Sequence, residues 1–577
     1  GDPQKELKFV HVAGSNGKGS TCATVASVLM AAGFRTGLYT SPHLIDFNER
    51  FEVNGERISD ELFTEITSLV RDAAEKMEDH PSQFELSTAI AMLYFLREKC
   101  DIVVLEVGMG GALDSTNVID APEVAVITNI GLEHTEYLGN TLAEVASAKA
   151  GIIKAGCSCV SYDSDPEVKA VIEETCLGLG VPLTYADFGS VRQLTEDLDG
   201  QVFTWRGGEY RIRLLGDYQL KNAATALAVI DALKARGWEI SGEAVREGLA
   251  NVRWPARMSV LGKEPVFILD GGHNPQCAEA LAESLGDILK GEKAVFLTGV
   301  LADKDYPDML AKVRPYASEF ICLTPDSDRA LSAQDLAEYL RSEGMKAEPC
   351  GSADEGIRLA LDRAGLNGSV ISFGSLYMAG AILQKFPAVY KKWLRAQKIA
   401  ARNALSREEV LEKSGRIVRN IAKSPEFARA KTVMIYSAVG CEVTLEELPE
   451  ADESYGKTFV YPLCVEDRQM LALKPHEDEE GAWKKGSFGI CEPVPERSDE
   501  YAPEDIDLVI CPCTSFDENG GRLGMGGGYY DRFLPRCTRA AVVLAAFEEQ
   551  KTGEVPKDSN DVPVDACFTD EAVYRPW

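Results

Sequence analysis

Two glycine-rich segments of this chain have the residue types that bind phosphate, and they lie about five hundred residues apart. The first, the first glycine loop (residues 14–20), reads GSNGKGS. Glycines let backbone N–H groups approach a phosphate, and a following helix adds the positive end of its dipole. Lys18 would reach the β- and γ-phosphates, and the Ser20 hydroxyl would lie near a metal ion. We assign nucleotide binding to Gly14, Asn16, Gly17, Lys18, Gly19 and Ser20.

The second glycine loop (residues 522–531) places four glycines in five positions around Met525. A tight turn would need one or two of them, because glycine is costly unless the backbone needs its freedom. The rest favour phosphate binding, with Arg522 facing phosphate and Asp531 able to hold Mg²⁺. Two such loops suggest two nucleotide sites, and hence two enzymes joined in one polypeptide.

Composition limits the possible functions of the chain. Its 577 residues exceed one hydrophobic core and indicate three or four domains. A formal charge of −31 argues against binding to nucleic acid or an anionic membrane, because either needs a basic face. The fifteen cysteines are scattered without zinc-finger spacing, which favours reduced thiols and a cytoplasmic location. The chain starts at Gly1 without an initiator Met, so we expect an upstream segment.

Alternating patterns predict which elements position the first glycine loop. Strands are expected at 8–12, 36–39, 102–107 and 124–128, with helices at 20–32 and 84–100, which is typical of a parallel, doubly wound sheet. A second α/β alternation begins near Trp254, with strands at 266–269, 294–297 and 320–323. A third unit begins near Pro387 with a helix over 391–423, followed by strands at 432–436, 458–461, 470–473, 508–511 and 541–544. The predicted α/β domains are residues 1–253, 254–386 and 387–577.

Three further polar residues fall where this sheet would present a ligand. Glu106 ends an apolar strand, and His134 follows the next one. Both could reach a metal at the crevice where such sheets bind ligands. Lys149 lies in a largely apolar helical stretch. Taken singly, His134 reads as a surface or capping histidine and Lys149 as a solvated helix lysine, so their combination carries the prediction.

Together these segments resemble the folylpolyglutamate synthase/dihydrofolate synthase family, relatives of the Mur ligases, over roughly residues 1 to 385. The matching strings are HVAGSNGKGS (11–20), YTSPHL (39–44), NER (48–50), LEVG (105–108), DSTN (114–117), KAGI (149–152), WPAR (254–257), LDGGHNP (269–275) and GSLY (374–377). The resemblance implies a Mur-ligase-like P-loop ATPase domain followed by a Rossmann-like ligase domain, both using ATP and Mg²⁺.

The same resemblance implies roles for individual residues. Ser41, Glu106 and His134 would be Mg²⁺ ligands with Ser20, and Lys149 would be the lysine that family members carboxylate. Arg257, Asp270 and His273 would close over ATP, together with Asn222. The implied reaction turns a substrate carboxylate into an acyl phosphate that the amine of L-glutamate attacks. In it Lys18, Lys149, Asp270 and His273 are the expected catalytic residues. Ala148 departs from the family, whose members usually carry Glu there.

Residues 388 to 577 resemble 5-formyltetrahydrofolate cyclo-ligase. Lys391 and Arg395 share a helix face, where spacing alone would make them solvated residues. The other matching strings are YS (436–437), EV (442–443), FGICEP (488–493), and FD (516–517) through Asp531. The resemblance implies that Glu442 lies near the pterin, that Tyr529 contacts substrate and that Asp531 assists Mg²⁺. The implied ATP contacts are Lys391, Arg395, Arg522, Gly524, Gly526, Gly527, Gly528, Tyr529 and Tyr530.

The two resemblances agree on ATP-dependent folate chemistry, so the sequence predicts a bifunctional enzyme. Its small-molecule partners would be dihydropteroate, tetrahydrofolate, 5-formyltetrahydrofolate and L-glutamate, and the chain would be a monomer without nucleic-acid or membrane partners. One alternative is a Mur-type amide ligase for another carboxylate. Others are a C-terminal folate-binding module without turnover, and a first half that is an inert scaffold.

Overall fold

The computed structural model describes residues 2–132, 135–163, 165–476, 481–486, 491–558 and 560–576. The chain divides into two compact units. The first unit comprises Gly1–Leu261, Phe267–Gly356 and Ser369–Gln384, and the second comprises Gly262–Val266, Ile357–Gly368 and Lys385–Trp577. Within the described residues, no helix is both long and apolar enough to cross a membrane.

An eight-stranded sheet carries the first glycine loop. Its strands are β1 (Phe9–Ala13), β2 (Thr36–Tyr39), β3 (Phe51–Val53), β4 (Glu56–Arg57), β5 (Ile102–Glu106), β6 (Val124–Ile127), β7 (Ser158–Ser161) and β8 (Leu183–Tyr185), in the order β4-β3-β2-β5-β1-β6-β7-β8. The neighbouring helices are α1 (Lys18–Ala31), α2 (Asp60–Ala74), α3 (Gln83–Arg97), α4 (Thr135–Leu138), α5 (Leu142–Ala150), α6 (Pro166–Leu179), α7 (Asp217–Ala235) and α8 (Gly242–Asn251).

The central strand β1 is parallel to β5 and β6, with Val10 opposite Val104 on one side and Val124 on the other. All five residues of β1 and of β5 are buried, as expected for strands covered on both faces. The carboxyl ends of β1, β5 and β6 therefore meet at one edge of the sheet. This confirms the predicted parallel α/β fold and places the first glycine loop beside Glu106.

Two further sheets are formed by the strands between residues 192 and 373. A three-stranded antiparallel sheet comprises β9 (Arg192–Asp197), β10 (Gly200–Trp205) and β11 (Gly208–Ile212). A six-stranded sheet has the order β12-β13-β17-β14-β15-β16, from β12 (Ser259–Lys263), β13 (Val266–Asp270), β14 (Ala294–Thr298), β15 (Ala317–Cys322), β16 (Ala347–Pro349) and β17 (Ser369–Phe373). Its helices are α9 (Pro275–Leu289), α10 (Tyr306–Val313), α11 (Ala333–Ser342), α12 (Ala353–Ala364) and α13 (Leu376–Asn403).

The second unit contains another eight-stranded sheet, of mixed direction, in the order β23-β20-β19-β18-β24-β27-β28-β29. The strands after α13 are β18 (Thr432–Met434), β19 (Thr458–Cys464), β20 (Met470–Pro475), β21 (Trp483–Lys485), β22 (Cys491–Pro493), β23 (Ser498–Tyr501), β24 (Leu508–Cys511), β25 (Ser515–Phe516), β26 (Arg522–Leu523), β27 (Ala541–Ala545), β28 (Ala566–Phe568) and β29 (Val573–Tyr574). The helices are α14 (Arg407–Ala422), α15 (Pro425–Arg429) and α16 (Tyr529–Phe533).

The central strand β24 shows how this sheet is buried on both faces. Leu508 and Ile510 belong to one hydrophobic cluster, together with α14, and Val509 and Cys511 belong to another. This alternation follows from the two-residue period of a strand. The second glycine loop begins as β26, whose Arg522 pairs with Phe516 of β25, and it ends at the start of α16.

The helical segment predicted over 391–423 consists of two helices with a break at residues 404–406. Helix α13 ends at Asn403 and α14 begins at Arg407. A capping box stops the pattern: Ser406 Oγ accepts from the Glu409 amide at 3.2 Å, and the Glu409 carboxylate accepts from the Ser406 amide at 2.8 Å. Because this box satisfies N–H groups at a helix start, it separates two segments that both read as charged helix.

Candidate active sites

The first glycine loop leaves β1 and enters α1 through backbone that only glycine adopts easily. Gly17 caps α1 with a φ of +87°, and a Cβ there would lie 2.5 Å from Asn222 Oδ1. At Gly14 a Cβ would lie 1.9 Å from Thr128 Oγ1. That hydroxyl donates to the Asn16 carbonyl at 2.9 Å. The loop is therefore held tightly against the end of β6, with its N–H groups at the start of a 14-residue helix.

Two lysines reach the first glycine loop. Lys18 Nζ donates to the carbonyls of Gly14 and Ser15, at 2.8 and 3.2 Å. Lys149, on α5, is 1% exposed and its Nζ donates to the same Gly14 carbonyl at 2.9 Å. Two ammonium groups on one carbonyl make this loop a strongly positive spot in an acidic protein. An anionic phosphate would therefore meet local positive charge at this loop, although the net charge of the chain is −31.

Three of the expected metal ligands lie among the described residues, and His134 lies outside them. Glu106 ends β5, is 4% exposed, and accepts a hydrogen bond from the Ser41 amide at 2.9 Å. Burial raises the pKa of Glu106, while Lys18 and the Ser41 amide oppose that rise. The Ser20 hydroxyl is buried and accepts from Gln219 Nε2 at 3.2 Å.

The donor set fits Mg²⁺. A buried carboxylate whose charge is disfavoured gains from a nearby divalent cation. The described residues include no group of three or more His, Cys, Asp or Glu side chains that could hold a metal alone. Mg²⁺ is commonly held by one or two carboxylates together with substrate phosphates, which matches Glu106, the serine hydroxyls and a nucleotide.

Asp270, Arg257 and His273 lie around the end of β13. The Asp270 carboxylate is 4% exposed and accepts from the amides of Gly272 and Met258, at 2.7 and 3.0 Å. Burial raises the pKa of Asp270, and Arg257 opposes the rise. The His273 ring Nδ1 lies 3.2 Å from the Gly271 carbonyl. The end of β13 and the turn after it thus hold the aspartate and the histidine, and the charge of Arg257 acts on that aspartate.

Two residues that sequence reasoning missed connect this turn to the first glycine loop. Asn16 Nδ2 donates to Gln276 Oε1 at 2.8 Å, and Asn16 Oδ1 accepts from Asn274 Nδ2 at 3.1 Å. Asn274 also caps α9 by accepting from the Cys277 amide at 2.8 Å. Asn274 belongs to a matching string, but no sequence signal marks Gln276. The oxygen and the nitrogen of the Asn16 side-chain amide are therefore both hydrogen-bonded to residues at the start of α9.

Large apolar side chains are exposed close to Glu106 in the sequence and along the segment that follows β6. Met109 is 43% exposed, Leu113 is fully exposed, Leu132 is 59% exposed and Tyr137 is 73% exposed. A Cβ on Gly110 would lie 3.0 Å from a Leu138 methyl group, so the segment after β5 approaches α4. Exposed apolar groups concentrated in this way are typical of a surface that binds an apolar ligand.

In the second unit, the second glycine loop is fixed from two sides. Thr514 donates through its amide and its hydroxyl to the Leu523 carbonyl, at 2.7 and 2.8 Å. Arg395 Nε donates to the Gly524 carbonyl at 2.7 Å. Gly528 caps α16 with a φ of +64°. Arg395, expected from the resemblance to be an ATP contact, therefore lies directly against this loop.

Two more cations flank the second glycine loop. Arg522 is 8% exposed, forms an ion pair with Asp531 and has an Nε atom without a hydrogen-bond partner among the described residues. Lys391 pairs with Asp558 at 2.6 Å and Asp561 at 2.9 Å. Beside them, α16, Asp558 and residues 560–563 line a cleft of about 610 Å³. Its volume is that of a typical small-molecule site.

Sequence reasoning also missed two cations further along α13. Lys398 donates to the Lys551 carbonyl, and Arg402 forms an ion pair with Glu442 at 3.3 Å. Burial raises the pKa of Glu442, and Arg402 opposes the rise. The sequence contains a signal for these two cations. The residues Lys391, Arg395, Lys398 and Arg402 are spaced by four, three and four, so they share one helix face.

Comparison with known proteins gives three family matches along the chain. Residues 12–230 match the Mur ligase middle domain and residues 256–376 match the Mur ligase glutamate ligase domain. Residues 388–570 match the 5-formyltetrahydrofolate cyclo-ligase family.

Similar proteins include the dihydrofolate synthase/folylpolyglutamate synthase of Bacillus subtilis (strain 168), 36% identical over 399 residues, which are 67% of this chain and 92% of that protein. Among solved structures, the Mycobacterium tuberculosis folylpolyglutamate synthase complexed with ADP and AMPPCP is 31% identical, with a TM-score of 0.61 over 67% of this chain and 92% of that one. The Yersinia pestis folylpolyglutamate synthase/dihydrofolate synthase complexed with AMPPNP and Mn ion is 32% identical, with a TM-score of 0.59 over 67% and 90% of the two chains.

Proposed function

This chain belongs to the dihydrofolate synthase/folylpolyglutamate synthase family and has a C-terminal domain of the 5-formyltetrahydrofolate cyclo-ligase family; from this premise we propose that it catalyses two ATP-dependent reactions on folates. One observation carries the proposal: each unit has its own glycine loop with basic side chains bound to it. These are Lys18 in the first unit, and Arg395 and Arg522 in the second. The domain limits we propose are 1–253, 254–386 and 387–577.

The first reaction joins L-glutamate to the carboxylate of dihydropteroate or a tetrahydrofolate. The carboxylate oxygen attacks the γ-phosphorus of ATP and ADP leaves, which gives an acyl phosphate. The glutamate nitrogen then attacks the acyl carbon, forms the amide and expels phosphate. The N–H groups of the first glycine loop and Lys18 would hold the ATP phosphates, because phosphoryl transfer depends mainly on positioning and charge stabilisation.

Mg²⁺, when bound, would neutralise charge on the transferring phosphoryl group. The residues that we propose to hold it are Ser20, Ser41, Glu106 and His134. Lys149 would act beside them as a carboxylated lysine, supplying an anion in place of its ammonium group. Its buried position against the Gly14 carbonyl puts that side chain within reach of the same loop.

The remaining residues of this site would bind the rest of the nucleotide and the folate. Arg257, Asp270 and His273 would contact ATP from the end of β13, and Asn222 would contact it from α7. The exposed Met109, Leu113, Leu132 and Tyr137 would pack against the pterin and p-aminobenzoyl rings, whose flat apolar faces match such side chains.

The second reaction converts 5-formyltetrahydrofolate into 5,10-methenyltetrahydrofolate. The formyl oxygen attacks the γ-phosphorus of ATP and ADP leaves. N10 then attacks the activated formyl carbon, and phosphate leaves with that oxygen. Lys391, Arg395 and Arg522 would bind the ATP phosphates, together with Gly524, Gly526, Gly527, Gly528, Tyr529 and Tyr530. Asp531 would assist Mg²⁺, while Glu442 and Tyr529 would contact the folate. The binding of phosphate would replace the carboxylates that now pair with Lys391 and Arg522.

Two parallel assays test both halves of the proposal. The full chain, with ATP and Mg²⁺, is given either L-glutamate with dihydropteroate or tetrahydrofolate, or 5-formyltetrahydrofolate alone. We expect ADP and a glutamylated product in the first assay and absorbance of the methenyl product in the second. Turnover only in the second would favour another carboxylate or an inert first half, and silence in the second would favour a folate-binding module.

The state and location of the protein complete the proposal. We propose that it acts as a monomer in the cytoplasm, where its fifteen cysteines would stay reduced. Light scattering of the purified chain tests the first statement, and fractionation of cells that produce it tests the second.

A further inference from the structure

Helix α13 carries four cations on one face, and each binds a different segment of the second unit. Lys391 binds Asp558 and Asp561, and Arg395 binds the second glycine loop at Gly524. Lys398 donates to the Lys551 carbonyl, and Arg402 pairs with Glu442. The proposed function uses Lys391, Arg395 and Glu442 but leaves Arg402 without a role.

The Arg402–Glu442 pair is buried, with 7% and 12% of the two side chains exposed. Arg402 Nη1 lies 3.3 Å from Glu442 Oε1, and Glu442 Oε2 accepts from the Val439 amide at 3.0 Å. Arg402 Nε is buried and has no hydrogen-bond partner in the described part of the chain. Leaving a buried charged donor unsatisfied is unfavourable, so a ligand acceptor placed against this atom would remove that penalty.

The segment around Glu442 is held firmly in place. The Tyr436 hydroxyl donates to the Val443 carbonyl at 3.0 Å, and the Thr444 amide donates to Ser414 Oγ at 3.1 Å. Burial raises the pKa of Tyr436, and the charge of Glu442 raises it further. Burial also raises the pKa of Cys513 to about 12, against the opposing charges of Arg522 and Arg402. These groups therefore share one buried polar region with the pair.

The edge of a pterin ring presents the 2-amino and N3–H donors next to the 4-oxo acceptor. A carboxylate beside a guanidinium presents acceptors next to a donor, which is the complementary order. The Glu442 oxygens have lone pairs beyond those used by Arg402 and Val439, and Arg402 Nε supplies the open donor.

We propose that Arg402 is a positioning residue of the cyclo-ligase site: it holds the Glu442 carboxylate against the pterin 2-amino and N3–H groups and donates from Nε to the 4-oxo group. This inference rests on the proposed cyclo-ligase function and deepens it. It makes Arg402 a determinant of specificity for 4-oxo pterins, because a 4-amino ring would place a donor against a donor.

The test uses the full chain with Arg402→Met, Arg402→Lys and, as a matched control, Arg416→Met. Arg416 is an arginine on α14 whose exposed side chain pairs with Glu412 four residues away. A hydrogen bond to a charged group is worth about tenfold or more in binding. We expect Arg402→Met to raise the KM for 5-formyltetrahydrofolate about tenfold while the KM for ATP stays within about twofold. Arg402→Lys keeps the charge opposite Glu442 and should give an intermediate increase.

A second readout separates recognition from structure. Inhibition constants are measured for a 4-oxo folate and for its 4-amino-4-deoxy analogue. Wild type and Arg416→Met should prefer the 4-oxo compound. Both Arg402 variants should show a smaller preference, since only the Glu442 contact with N3–H then separates the two compounds. A preference as large as that of wild type, or an equal rise in both KM values, would overturn the proposal. If wild type forms no methenyl product, the cyclo-ligase function fails by itself, and binding of the two folates, followed by fluorescence, still decides the role of Arg402.

Discussion

His11 offers the sharpest test of how burial controls a single group in this protein. It lies in the middle of β1, is fully buried, and its Nε2 is 2.8 Å from Thr116 Oγ1. That hydroxyl donates to Asp114 Oδ1 at 2.5 Å, so the imidazole must supply the proton of its own bond. His11 Nδ1 has no partner among the described residues. Burial, with a smaller effect of Lys154, lowers the pKa of His11 to about 3.

The effect on stability follows from the difference between the folded and unfolded states. In the unfolded chain the pKa is about 6.5, so that state binds a proton between pH 7 and pH 5 while the folded state does not. The contribution of His11 to the free energy of unfolding is therefore most favourable above about pH 6.5, and it decreases as the pH falls towards 3. Integrated from pH 7 to pH 5, the loss is about 2 kcal/mol at about 1.36 kcal/mol per pH unit.

The assay compares wild type with His11→Gln, which keeps a donor for Thr116 but does not titrate. Urea unfolding at pH 7 and pH 5 is followed by tryptophan fluorescence in a background with Trp393, Trp483 and Trp577 replaced by Phe. The remaining Trp205, Trp238 and Trp254 lie in the first unit. We expect wild type to lose about 2 kcal/mol more than His11→Gln over this range.

A control variant removes the exposed His80 instead and should behave as wild type does. The change in the free energy of unfolding between the two pH values is taken within each variant, which cancels any packing loss in His11→Gln. The difference between the changes of two variants then cancels the titration of carboxylates such as Glu106. An equal pH dependence in wild type and His11→Gln would refute the reasoning. It would mean that the imidazole is protonated or hydrated in the folded protein.

Three further predictions concern the two glycine loops, and the first two use one activity as the internal control for the other. Gly17→Ala would place a Cβ 2.5 Å from Asn222 Oδ1 at a φ of +87°. We therefore expect ligase activity to fall at least tenfold while formation of the methenyl product is unchanged, and equal losses in both assays would contradict this. Asp531→Asn should do the reverse, lowering cyclo-ligase turnover at least tenfold and leaving glutamate addition intact, whereas a folate-binding module would show no change in ATP use. Gln276→Leu removes one hydrogen bond from the first glycine loop, so amide formed per ADP released should fall about threefold; a ratio equal to wild type would show that this bond does not act in catalysis.

Local sequence signals predicted much of the fold because they depend on neighbouring residues. The strands Thr36–Tyr39 and Leu508–Cys511 have the predicted bounds, since a short apolar run between turn residues is itself the signal for a buried strand. The helical segment predicted over 391–423 is divided by another local signal: after the uncharged residues 404–406, the Ser406–Glu409 capping box starts α14.

The two glycine loops, the α/β alternation around them and the family of each part can be read from the sequence, because they reside in short strings of adjacent residues. Which distant groups meet depends on the packing of the folded chain. Arg402 and Glu442 are 40 residues apart, Lys149 and Gly14 are 135 apart, and Asn16 and Gln276 are 260 apart. A side chain's burial and its partner depend on how helices and strands pack, and no local pattern encodes that. The chemistry of these sites therefore depends on charges and donors that become neighbours only in the folded chain.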